Sequence, residues 1–147
     1  MTDLMLILGR WEWIAALVAR LVVGLMFALS GYGKLFVPAT RQQMQETIRA
    51  AGLPSPVTSA TVLSCIEFLA GASLVLGLLT PVAAVLLSGV MIGALVTTHL
   101  PAVKAASLAD WLGEVTFLPQ TLTLVLLIWL SLSGPGFVSL DGLLFGG

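Results

Sequence analysis

The stretch from Arg20 to Phe36 constrains the fold more than any other part of the chain. It reads RLVVGLMFALSGYGKLF, so an arginine and a lysine enclose a run of apolar and small residues. Small residues such as Gly24 and Gly31 let another helix approach closely, and intramembrane charges mark polar sites. With the apolar residues before it, the run extends from about residue 13 to 36 and can cross a ~30 Å hydrocarbon core. We interpret it as the first membrane-spanning helix.

The amino-acid composition also indicates a membrane protein. Of the 147 residues, 59% are hydrophobic and 9% are charged, whereas an ordinary soluble domain carries about 25% charged residues. So much apolar surface requires lipid as the solvent. The net charge of −1 does not indicate the basic surface that a nucleic-acid-binding protein needs. The single cysteine excludes an internal disulfide and a multi-cysteine metal or iron–sulfur site.

Three further apolar segments follow, at about residues 56–79, 81–99 and 118–132. We therefore predict an all-α integral membrane four-helix bundle, with residues 1–147 as a single domain. The first apolar run is longer than the ~7–15 residues of a signal-peptide h-region, so we do not expect it to be cleaved. Gly89 and Gly93 form a GxxxG spacing that predicts a packed face on the third segment.

The two long connections have a different character. Residues 40–51, TRQQMQETIRAA, carry apolar positions at helical spacing and predict a short amphipathic helix at the membrane interface. A simple polar loop is an equally open alternative. Residues 101–119 are interpreted as a second interfacial helix or a re-entrant segment. Basic residues gather on the long-loop side, which predicts cytoplasmic long loops and external termini; they are Lys34, Arg41, Arg49 and Lys104.

Arg20 and Glu67 are the charges placed deepest in the predicted spans. Charges within a bilayer usually face the bundle interior and pair with one another. In antiparallel first and second helices, an axial offset of one or two turns would separate the two side chains, so we predict that they pair directly or through water. Two interpretations are open: a structural staple, or a proton-carrying or ligand-binding Glu67 that Arg20 tunes.

A second candidate site lies toward the long loops. Tyr32, Lys34, Glu67 and His99 are predicted to surround a cavity that opens to that face and hydrogen-bonds a quinone-like or anionic headgroup. The simpler alternatives are a Lys34 that snorkels to the headgroups and a His99 that acts as an interfacial cap. With one histidine and one cysteine, we expect no dedicated redox-metal site. Asp141 is interpreted as a turn or cap.

Several short motifs, in order, give the chain a resemblance to the DoxX family of small prokaryotic membrane proteins. They are Arg20 with residues 24–27, GLMF; residues 31–36, GYGKLF; residues 51–54, AGLP; Glu67 with Gly71; residues 76–80, LGLLT; and residues 134–136, GPG, with 139–141, SLD. The resemblance implies a multi-pass protein of the inner (plasma) membrane. Pro81 departs from the family pattern, in which a basic residue often follows the threonine.

The resemblance and the residues together rank the functions: small size, the lack of metal ligands and an exposed small-residue face at Gly89 and Gly93 favour a subunit. The family takes its name from a membrane subunit linked to a quinol oxidase or a thiosulfate:quinone oxidoreductase. We therefore expect first a membrane subunit or accessory protein of a redox-linked complex, holding a quinone or lipid. A quinone-reactive enzyme component comes second and a small proton-coupled transporter third. The expected partners are the bilayer and other membrane subunits or further copies of the chain. No covalent cofactor is expected. Arg20, Lys34 and Glu67 are the positions carried over as the polar site.

Overall fold

The protein folds into an all-α membrane bundle, as predicted. The computed structural model describes residues 11–104, 107–134, 136 and 139–145, and these contain helices and no strand. Three helical stretches are long and apolar enough to cross a membrane: Trp13–Phe36, Pro56–Leu76 and Thr80–Ala102. A fourth crossing arises if the bent pair Leu108–Phe117 and Pro119–Ser133 counts as one span.

The first span is followed directly by a polar helix. Helix α1, Glu12–Phe36, ends at the extended residue Val37, and α2, Pro38–Ala50, begins with a proline at its first turn. Proline suits that position because its missing N–H has no helical partner there. One side chain of α2, Ile48, is buried. The segment predicted as an amphipathic helix is therefore helical, and the polar-loop alternative is wrong.

Helices α1 and α3, Pro56–Leu76, touch backbone to backbone. A Cβ added to Gly31 would lie 2.5 Å from the Phe68 nitrogen, and one added to Gly71 would lie 2.5 Å from the Ala28 nitrogen. Real Cβ atoms do not approach so closely, so glycine is required at both places. This contact aligns Gly31 with Phe68 and thereby fixes how far α1 is shifted along α3.

A tight turn joins α3 to α4, Thr80–Ala94. The predicted second span extends to residue 79, but α3 ends at Leu76 because Gly77 adopts a left-handed conformation with φ of 67°. The Asp141 carboxylate, from the short helix α7, Leu140–Phe145, accepts hydrogen bonds from the Leu79 and Thr80 backbone N–H groups at 2.7 and 3.0 Å. The cap interpretation of Asp141 is confirmed.

Helix α4 passes into a wider turn. Residues Leu95–His99 form a π-helical turn, and Leu100–Ala102 form a 3₁₀ turn. The hydrophobic core includes Leu87 of α4, which packs with Leu74, Leu127 and Leu130. All four side chains are fully buried. Helix α5, Leu108–Phe117, meets α6, Pro119–Ser133, at 65°. This bend is typical of a broken span or a re-entrant segment.

The GxxxG face of α4 does not pack against another helix of the same chain. A Cβ added to Gly89 or Gly93 would meet no atom of the described residues within 4 Å. The close approach that small residues permit is made instead by Gly31 and Gly71, because helix packing depends on which face meets a neighbour and not on the spacing alone. The two α4 glycines border an open space that belongs to the site described next.

Candidate functional site

Lys34 and Glu67 form a partly buried ion pair near the long-loop end of the bundle. The Lys34 Nζ lies 2.6 Å from Glu67 Oε2 and 2.8 Å from Oε1, and the Ser30 hydroxyl donates to Oε2 at 3.1 Å. The side chains are 22% and 3% exposed, respectively. Ser30 and Lys34 are four residues apart on α1, so both face α3. The carboxylate is therefore held by two donors of one helix.

The predicted pairing of Arg20 with Glu67 is wrong. Arg20 precedes Lys34 by fourteen positions, which places it about 21 Å away along α1. Its guanidinium lies at the other end of the bundle, where a Cβ added to Gly77 would come within 2.7 Å of Nη1, and it interacts electrostatically with Asp141. The helix shift set by the Gly31–Phe68 contact brings Glu67 level with Ser30 and Lys34 instead.

The ion pair forms part of the wall of a cavity of about 640 Å³. Helices α1, α3 and α4 surround this cavity, and Met44, Thr47 and Ile48 of α2 cover part of it. Most of its remaining wall is aliphatic or glycine, including Gly89 and Gly93. We call this space the main cavity. Its lining is mostly apolar with a few polar groups at one place, as in sites for small amphiphilic molecules.

The π turn that follows α4 lies beside the main cavity. Thr97, Thr98 and His99 of this turn line it, and π turns are frequent at functional sites. His99 shares one cavity with Lys34 and Glu67.

Tyr32 lies elsewhere. Its ring is 51% exposed and packs against Phe36 and Phe68, with centroid distances of 4.9 and 6.4 Å. Tyr32 is two positions before Lys34, a rotation of about 200° on an α-helix, so the two side chains leave α1 on different sides. Of the predicted site residues, the structure therefore gathers Lys34, Glu67 and His99 and places Tyr32 and Arg20 outside the main cavity.

A smaller inner cavity of about 180 Å³ lies between α1 and α6 and adjoins the same ion pair. Ser30, Lys34, Glu67, Met91 and Gln120 line both cavities. Four helices thus converge on this point, and we call Ser30, Lys34, Glu67 and Gln120 the polar cluster. Sequence reasoning missed Gln120. The available signal was a lone amide in the first turn of an apolar helix.

An apolar groove continues from the main cavity along the outside of α3 and α4. It measures about 390 Å³ and shares Ile66 and Leu86 with the cavity. Leu69 and Val82 lie along it, and both are more than half exposed. A hydrocarbon chain lying in this groove would reach the main cavity without leaving apolar surroundings.

Other described regions have fewer polar or ionisable groups that could bind a ligand. In the described part of the chain, no three His, Cys, Asp or Glu side chains gather closely enough to hold a metal ion. A second groove of about 600 Å³, between α1 and α6, is lined by apolar residues including Trp11, Val18 and Leu126. The polar cluster and the main cavity are therefore the candidate site.

Comparison with known proteins assigns the family. The family model DoxX matches residues 15–100. The chain belongs to the DoxX family. This range includes Lys34, Glu67, His99 and the whole of α2, whereas Gln120 lies beyond it.

Two relatives cover most of the chain. An "uncharacterized membrane protein" of Mycobacterium tuberculosis is 36% identical over 129 residues, which cover 83% of this chain and 76% of that protein. A Bacillus subtilis protein named "Putative oxidoreductase CatD" is 32% identical over 137 residues, which cover 91% of this chain and 90% of that protein. No solved structure matches.

Proposed function

We propose that this DoxX protein is a membrane subunit of a redox-linked complex and that it holds a quinone-type lipid in the main cavity. The observation that carries this proposal is the Lys34–Glu67 pair in the wall of a largely apolar cavity of about 640 Å³. Ionisable residues within a membrane bundle are costly and usually mark a functional site.

The chemistry of the pair favours a neutral headgroup. The ammonium of Lys34 has three donors, and two oxygens of Glu67 lie within hydrogen-bonding distance of it. One donor is left for a ligand acceptor, such as a ring carbonyl. An anionic headgroup would approach the Glu67 carboxylate and be repelled by it. A carbonyl-bearing ring therefore suits this site better than a phosphate or a carboxylate.

The surroundings favour a ligand that is soluble in the bilayer. The apolar groove along α3 and α4 adjoins the main cavity through Ile66 and Leu86. An isoprenoid or alkyl tail in this groove would bury apolar surface on both helices. The name of the Bacillus subtilis relative includes "oxidoreductase", which supports a redox-linked role for a bound quinone.

Binding of decylubiquinone to the purified full-length protein in mild detergent tests the proposal. The wild type should bind it, and Lys34→Met should weaken binding about tenfold, since a lost hydrogen bond of ~1.4 kcal/mol changes affinity by that factor. Lys104→Met is the matched control, because Lys104 is exposed and lies outside the main cavity. A wild type that does not bind decylubiquinone would contradict the proposal.

A second measurement distinguishes a protein that retains a bound ligand from one that transports protons. Proteoliposomes of the wild type and of Glu67→Gln should show the same low proton flux if the site only retains its ligand. A flux that depends on Glu67 would favour the transporter alternative.

A further inference from the structure

Gln120 occupies an unusual position. It follows Pro119 in the first turn of α6, directly after the 65° bend from α5. From there it lines both the main cavity and the inner cavity, alongside Lys34 and Glu67. It is the one member of the polar cluster contributed by α6, and so it approaches the site from outside the α1–α3 pair.

The carbonyl oxygen of its side chain lacks a partner among the described residues. The Oε1 atom is buried and accepts no hydrogen bond from any residue that the structure describes. Nearby hydroxyls on the same helix behave differently: Thr121 donates to the Val115 carbonyl and Thr123 to the Pro119 carbonyl. A buried polar atom without a partner costs desolvation free energy, and native proteins retain few of them. Such an atom beside two cavities indicates a missing partner.

Building on the proposed quinone site, we propose that Gln120 is its second recognition group and selects a ring with polar atoms on two edges. Lys34 would contact one edge of the ring and Gln120 another. Because no hydrogen bond from a described residue holds its Oε1, the side-chain amide can rotate by 180°. It then donates through Nε2 to a quinone carbonyl or accepts through Oε1 from a quinol hydroxyl. The site would therefore accept both oxidation states of the ligand and disfavour lipids with a single polar group.

Two probes with the same tail length test this selection in the purified full-length protein. Decylubiquinone has polar groups on two edges of its ring, and 4-decylphenol has one. Gln120→Met, close to glutamine in shape, should weaken decylubiquinone binding about tenfold and 4-decylphenol binding less than about twofold, each tenfold being ~1.4 kcal/mol. Gln120→Asn keeps the amide but shortens it, and should give an intermediate affinity for decylubiquinone. Gln42→Leu, at an exposed glutamine of α2, is the control and should change neither.

The melting temperature without ligand separates recognition from a structural role. Gln120→Met removes an unpartnered buried atom, so it should leave the melting temperature unchanged or raise it. A lower melting temperature, or equal weakening of both probes, would overturn the inference. Equal decylubiquinone binding by wild type and Gln120→Met would overturn it while the proposed function stands. A wild type that binds no decylubiquinone would overturn both.

Discussion

At the scale of single residues, α1 carries two charged side chains that lie at opposite ends of the bundle. Lys34 pairs with Glu67 at 2.6 Å beside the main cavity, whereas Arg20 is buried near Gly77 and Ser139. Their separation of about 21 Å along the helix excludes a shared site. A buried pair can be a structural staple or a functional group, and neutralising both partners together distinguishes the two.

The first prediction concerns this pair. Lys34→Met should destabilise the protein by about 3–5 kcal/mol, because it leaves the buried Glu67 carboxylate without its partner. Glu67→Leu should cost less, because the Lys34 side chain that it leaves is 22% exposed. The double variant should recover most of that stability, since two apolar side chains replace the pair. Thermal unfolding in detergent measures the change.

Ligand binding by the same double variant decides the role of the pair. A functional pair predicts a folded double variant that has lost decylubiquinone binding. A double variant that binds like the wild type would make the pair a staple.

At the scale of helices, the glycines divide into two groups with different consequences. Gly31 and Gly71 are pressed against the backbone of the facing helix, and Gly89 and Gly93 border open space. All four lie in apolar helices, so composition does not distinguish them. The first pair sets the α1–α3 contact and the second leaves room for the main cavity.

The second prediction compares alanine at these positions. Gly31→Ala and Gly71→Ala should each cost at least about 1–3 kcal/mol, because the added methyl overpacks a backbone contact. Gly89→Ala should be neutral or stabilising, since alanine is the better helix former and its methyl meets no atom. Melting temperatures measured side by side test this. Equal losses at all three positions would contradict the assignment of the two faces.

The third prediction fills the main cavity. Gly93→Leu places a large side chain where the structure has open space, so folding should be preserved. Decylubiquinone affinity should fall about tenfold or more. Gly113→Leu is a matched control, because Gly113 also has open space around it but lies on α5, outside the cavity lining. If Gly93→Leu binds decylubiquinone as the wild type does, the ligand does not occupy the main cavity.

The fourth prediction concerns the contact between α7 and α4. Asp141→Ala removes the acceptor of the Leu79 and Thr80 N–H groups, and loss of a helix cap costs about 0.5–2 kcal/mol. Asp141→Asn keeps one acceptor oxygen and should lose less. Decylubiquinone binding to the folded protein should remain, because Asp141 lies at the opposite end of the bundle from the main cavity. Melting temperature and binding are measured on the same samples, and a binding loss larger than the stability loss would be inconsistent with this separation.

At the scale of the whole molecule, the two ends of the bundle differ. Helix α2 and the π turn of α4 border the main cavity at one end, and the α3–α4 turn and α7 meet at the other. The basic residues of the long loops lie at the cavity end, so we predict from the positive-inside tendency that the cavity mouth faces the cytoplasm.

The fifth prediction tests this orientation by cysteine labelling of intact cells. In a Cys65→Ser background, Leu79→Cys at the short turn should react with a membrane-impermeant maleimide, since Leu79 is 53% exposed. Lys104→Cys should react only after the cells are opened. The reverse pattern would show that the cavity opens to the outside.

The sequence by itself determined the membrane environment and the spans. Apolar length identified the spans to within a few residues, and helical periodicity offered α2 as one of two alternatives, because both properties are local to a short segment. Residue chemistry indicated a turn or cap at Asp141, but the Leu79 and Thr80 N–H groups that it binds lie 62 and 61 positions away in the chain. It also indicated Lys34, Glu67 and His99 as members of one site.

Only the tertiary structure decided which charges meet. The backbone contact of Gly31 with Phe68 sets the shift between α1 and α3, and that shift pairs Glu67 with Lys34 and not with Arg20. Likewise, the rotation of α4 left its GxxxG face open, and the bend before α6 brought Gln120 to the polar cluster. Axial shift, helix rotation and the position of a fourth helix arise from contacts between distant segments, and no single segment encodes them.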